Sequence, residues 1–105
     1  MFVIMTRVQL KPGKIDAVRD LFEKTNPELV EGQEDWIEAK FTANRVEDQV
    51  TVLAFWRSAD SYRAFSADEN FGQVMSQFSP YFAGPPLVTV NEILFEMQQT
   101  SGSSE

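Results

Sequence analysis

The chain has no cysteine and no histidine in its 105 residues. Without thiols there are no disulfides and no thiolate nucleophile. Without imidazole, the commonest metal ligand and the usual general base near neutral pH are both missing. No metal-ligand cluster is expected, and no cofactor motif is present. Basic residues are also scarce: nine Lys and Arg against sixteen Asp and Glu give a formal net charge of −7, with a pI near 4.5. Counterion-driven nucleic-acid binding needs a basic patch, yet Arg7, Lys40, Arg57 and Arg63 stand scattered among acids. No nucleic-acid partner is expected. No apolar run approaches the roughly 20 residues that span a bilayer, and the opening MFVIMTRVQLKPG lacks the basic-then-apolar layout of a secretory leader. No membrane partner is expected, and the cytoplasm is the default location.

What remains is an ordinary globular composition, 43% hydrophobic and 24% charged. A chain this long forms one domain and buries about two-thirds of its unfolded surface. That domain is expected over residues 1–98, followed by a small, polar tail, 99–105, expected to be disordered.

Phe2 to Leu10 reads as a strand stopped by Lys11-Pro12-Gly13. From Lys14 the apolar period becomes helical, with Val18, Leu21, Phe22, Thr25 and Leu29 on one face; the helix is expected to fray near Asn26-Pro27. DWIEAKFTAN and VTVLAFW alternate and predict a hairpin. Ser58 suits the N-cap of a short helix over Ala59–Phe65. Ser66-Ala67-Asp68-Glu69 has the spacing of a capping box for a second helix, ended by Pro80. Leu87–Met97 is expected to be one long final strand.

The order is β-α-β-β-α-β with a broken second helix, the ferredoxin-like class of α+β folds with a four-stranded antiparallel sheet. Its helices can cover only one sheet face. On the first strand Phe2, Ile4, Thr6, Val8 and Leu10 form one face and Val3, Met5, Arg7 and Gln9 the other. Both are too apolar to be wetted throughout, so a homodimer packed sheet to sheet is expected. On the next strand, alternation sets Trp36, Glu38, Lys40, Thr42 and Asn44 together. Glu38 and Lys40 can then join Arg7 and Glu92 in a polar layer between the sheets, or stand at a solvated edge.

This element order, the PGK turn after the first strand and the phrase FWRSADSYRAF resemble the antibiotic biosynthesis monooxygenase family of dimeric α+β barrels. The resemblance covers about Phe2 to Met97. It implies a pocket between the helix-facing side of the sheet and the broken helix. It also implies one of several activities, among them cofactor-independent oxidation of aromatic polyketides or quinols and haem degradation. Haem-degrading members carry asparagine on the first strand, tryptophan on the short helix and histidine on the following one. Those positions fall on Thr6, Phe65 and Met75 here. All three depart from the pattern, and a lone thioether is a weak haem ligand beside imidazole.

Several residues are candidates for the site. Phe71, Val74, Met75 and Phe78 form a stripe that can be plain core, or can line an apolar cavity with Met75 as an adaptable gap-filler. Phe65 holds the place of a family pocket residue. Trp56 can anchor packing or touch a ligand, and Thr6 can present its hydroxyl to the cavity or merely sit in the strand. Tyr62 and Tyr81 can hydrogen-bond a phenolic or quinone oxygen, and Arg63 can stabilise an enolate or peroxy anion. The expected substrate is an apolar or aromatic small molecule of phenol or quinol type. The alternatives are a non-catalytic binding protein and a dimerisation module whose interior Phe65, Phe71, Met75 and Phe78 fill.

Overall fold

The computed structural model describes residues 1–99. Along the chain run β1 (Phe2–Gln9), α1 (Ile15–Val30), β2 (Trp36–Asn44), β3 (Gln49–Trp56), α2 (Ala59–Ala67), α3 (Glu69–Phe78), a 3₁₀ turn (Ser79–Tyr81) and β4 (Leu87–Glu92). The four strands make one sheet in the order β2-β3-β1-β4, with every neighbour antiparallel. All three helices lie on one face of it, as the α+β reading requires.

The helices differ from the sequence reading in two places. α1 does not fray at Asn26-Pro27 but continues to Val30 with Pro27 inside it. Proline removes one donor, and the half-buried Leu29 and Val30 hold the last turn against the fold. The break in the second helix also lies later than expected, because α2 runs on to Ala67. Ser66 is therefore still helical and donates to the Arg63 carbonyl at 3.2 Å. The cap is Asp68, whose extended backbone (φ −71°, ψ 145°) lets its carboxylate accept from the Asn70 N–H at 2.8 Å. Ser58 caps α2 as expected, accepting from the Ser61 N–H at 3.2 Å.

The strands differ in three. A bulge between Trp36 and Glu38 restarts the alternation of β2, so Trp36 pairs with Trp56 and leaves the face of Glu38 and Lys40. Glu92 pairs with Phe2 on the helix-facing side and so does not share a face with Arg7. β4 ends at Glu92 rather than Met97, because β1 runs out: Phe2 is the last ladder partner, and the Ile93 N–H reaches only the Met1 carbonyl at 3.0 Å. Most of the expected tail, residues 100–105, lies outside the described residues.

One end of the molecule is stitched shut. In the β2–β3 turn Asp48 adopts φ 52°, a conformation asparagine and aspartate tolerate. Its carbonyl accepts from Leu10 at 2.9 Å, and its carboxylate from the N–H of Gly13 at 3.2 Å. Gln9 and Lys11 bond to Ala83 and Tyr81 nearby. The buried cluster of Val8, Leu10, Ile15, Val18, Val50 and Phe78 fills this end. Toward the Trp36 and Trp56 end the helix-facing residues are mostly only half-buried.

Candidate functional site

That loosening of the packing has a physical cause: between sheet and helices lies a cavity of about 750 Å³, within the size range of small-molecule sites. Its floor is the helix-facing row of the sheet. Thr6 stands there between its ladder partners Val52 and Val88, and Ala39 faces Ala54. Two directly paired alanines at mid-sheet leave room beneath the helices that larger side chains would occupy. The sequence carried that signal in WIEAKF and VLAFW, but its meaning depends on the register that pairs them.

The roof comes from α2 and α3. Phe65, Phe71, Met75 and Phe78 all line the cavity, and Phe78 also closes its inner end. The dimerisation-module reading, in which these side chains fill the interior, does not match a void of this volume. Trp56, 1% exposed, is the hub of an aromatic run. Its ring centroid lies 5.0 Å from Phe65 and 5.8 Å from Tyr62, and Phe65 lies 5.3 Å from Phe71 in an edge-on contact. Such pairs hold rings in fixed orientations beyond what burial does. α2 is itself tethered: Ser61 bonds to the Asp35 carboxylate, and Arg57 donates to the Glu34 carbonyl at 2.8 Å.

Polar groups at this wall are few. Tyr62 is half-buried, and burial raises its phenol above the usual tyrosine range, with hydrogen bonding to Ser66 pulling more weakly the other way. It therefore stays a neutral donor throughout the physiological pH range. Arg63 lies outside the cavity, exposed and paired with Asp60 at 3.3 Å. Tyr81 packs against the closed end and does not line the cavity. The sequence reading missed three wall segments: Phe22, Asn26, Pro27 and Val30 on α1, Phe41 on β2, and Trp36, which only the bulge brings inward.

A second concavity, of about 730 Å³, opens between α1 and α2–α3. Lys24, Glu28, Asp68, Asn70 and Gln73 line much of it, so it is a wet surface groove rather than an apolar site. Among the described residues no group of three or more acids could hold a metal ion, and no helix is long and apolar enough to cross a membrane.

The family model for antibiotic biosynthesis monooxygenases matches residues 1–77. The chain belongs to the antibiotic biosynthesis monooxygenase family. A search of curated proteins finds no match. Among solved structures, the fold of this family member is similar to that of a monooxygenase from the ActVA-Orf6 gene of Streptomyces coelicolor in complex with nanaomycin D. The TM-score is 0.84 at 20% identity, covering 94% of this chain and 92% of that one. It is also similar to Rv0793 from Mycobacterium tuberculosis, with TM-score 0.74, 14% identity and coverage of 92% and 98%. A conserved protein from Methanosarcina mazei Go1 matches at TM-score 0.72 and 16% identity, covering 85% and 88%. At such identities the likeness is one of fold, and the antibiotic biosynthesis monooxygenase family as a whole sets the class of activity.

Proposed function

We propose that the cavity binds a flat, electron-rich phenol or quinol and that the protein oxidises it as a monooxygenase without a cofactor. The observation that carries this reading is an apolar cavity of about 750 Å³ whose wall holds a neutral phenol, Tyr62, packed against Trp56. In such chemistry the ionised substrate itself passes electrons to dioxygen. A ring CH₂ becomes C=O, one oxygen atom stays on the product and the other leaves as water. The protein's part is to exclude solvent, hold the ring plane between aromatic side chains and donate to the substrate oxygen as charge builds there. Tyr62 is placed for that donation, and Thr6 offers a second hydroxyl on the floor. A haem does not fit this donor set, since the chain has no histidine and Met75 offers only a thioether.

Oxygen uptake with a panel of anthrones and quinols tests the reading, comparing wild type with Tyr62→Phe. Turnover that falls in the variant supports it. Binding of the same compounds without oxygen uptake by wild type would reduce the protein to a small-molecule binder. That second reading is favoured by the shortage of a base: Glu38, the acid near the mouth, is exposed and paired with Lys40 at 3.3 Å.

The working form in this proposal is a homodimer. The sheet face away from the helices carries Val3, Met5, Leu53 and Phe55 with no layer over them, and Leu87 beside them is 63% exposed. Beyond β4 the segment bearing Leu94, Phe95 and Met97, 86%, 79% and 83% exposed, has outrun its own sheet. A second copy would cover both.

A further inference from the structure

Helix α1 carries an unusual feature at the cavity wall. Glu23, Asn26, Pro27 and Val30 all line the cavity, at the spacing of one helix face. Pro27 has no N–H, so the Glu23 carbonyl lacks the donor that a helix supplies four residues on. A helical carbonyl points along the axis toward that fourth residue, which here stands on the cavity side. The freed oxygen is thus an acceptor presented to an otherwise apolar space.

Asn26 adds a second. It is half-buried, and its amide nitrogen donates to Thr25 Oγ1 at 3.2 Å, while that hydroxyl donates onward to the Leu21 carbonyl at 2.8 Å. This chain of bonds holds the carboxamide and leaves its oxygen available as an acceptor. Both acceptors are uncharged, and both sit on α1, whereas the donor Tyr62 sits on α2.

We infer that the Pro27 notch, formed by the Glu23 carbonyl and the Asn26 carboxamide, reads a free hydroxyl on the ligand. The ligand class is a flat aromatic with an O–H to donate, selected over its ether. A buried acceptor offered an ether oxygen instead of a hydroxyl loses its partner and keeps its desolvation cost, which is how polar subsites discriminate. The inference rests on the small-molecule reading of the cavity but not on oxidation.

The test uses 2-naphthol and 2-methoxynaphthalene with the full chain. Quenching of Trp36 and Trp56 reports binding, since these are the chain's two tryptophans and both line the cavity. Wild type should prefer the naphthol by about fivefold, the worth of one hydrogen bond. Pro27→Ala returns an N–H to the Glu23 carbonyl. It should raise Tm, as any unkinked helix would, and yet shrink the preference while affinity for the methyl ether is unchanged. Asn26→Leu should shrink it as well. A preference equal to wild type in both variants, or no preference in wild type, overturns the inference and leaves the cavity reading standing. If neither compound binds, both fall together.

Discussion

Tyr62 is the residue whose chemistry the fold changes most. Its phenol is an ordinary side chain in the sequence, and the packing of α2 over Trp56 makes it a desolvated donor. Tyr62→Phe removes the hydroxyl but keeps the ring, so oxygen uptake should fall about a hundredfold with Tm nearly unchanged. The same burial predicts a pH dependence. In the unfolded chain the phenol titrates near its model-compound value of 10.0, and in the folded chain above it. Stability is therefore full below about pH 10 and is lost as pH rises through the folded pKa, because the unfolded state releases its proton first. Thermal melts should show a steeper loss above pH 10 for wild type than for Tyr62→Phe; equal slopes would contradict a desolvated phenol. The paired alanines of the floor make a complementary case. Ala54→Phe should fill space under the helices, weaken binding of bicyclic aromatics about tenfold and leave the fold intact by circular dichroism.

Among the elements, the junction of α2 and α3 shapes the roof. Two serines and an aspartate compete as caps in the sequence, and backbone geometry chooses between them. Asp68→Ala should cost about 1 kcal/mol of stability, measurable as a drop in the denaturation midpoint. Ser66→Ala should cost much less, because Ser66 bonds only to a carbonyl within its own helix. The reverse ranking would restore the S-x-x-E capping box. α1 makes a similar point. Its proline reads as a stop, yet the helix runs three residues further, and the price of that continuation is the open carbonyl at the cavity wall.

At the scale of the whole molecule, an apolar sheet face and an outrun apolar segment remain to be covered. Leu53→Glu places a charge amid Val3, Met5 and Phe55. Sedimentation should then show a 12.0 kDa monomer where wild type sediments as a dimer. A wild type that is itself a compact monomer at micromolar concentration would remove the sheet-on-sheet proposal. Glu38 and Lys40 pair with each other on the same face, and Arg7 lies exposed two rows away, so charges of both signs are available to meet a second copy.

Local patterns sufficed for element order, for the helix stripe of Phe71, Met75 and Phe78, and for the alternating face that places Thr6 on the floor, because each depends on period alone. Chain-wide absences likewise removed histidine and thiol chemistry whatever the fold. Register and packing were different. Only the bulge at Trp36 turned that ring inward, only the shortness of β1 ended β4 at Glu92, and only the closeness of Asp60 drew Arg63 away from the cavity. The cavity itself was of this second kind. It arises where Ala39 meets Ala54 under helices fastened at the far end, and residues that meet across strands cannot be read from their neighbours in the chain.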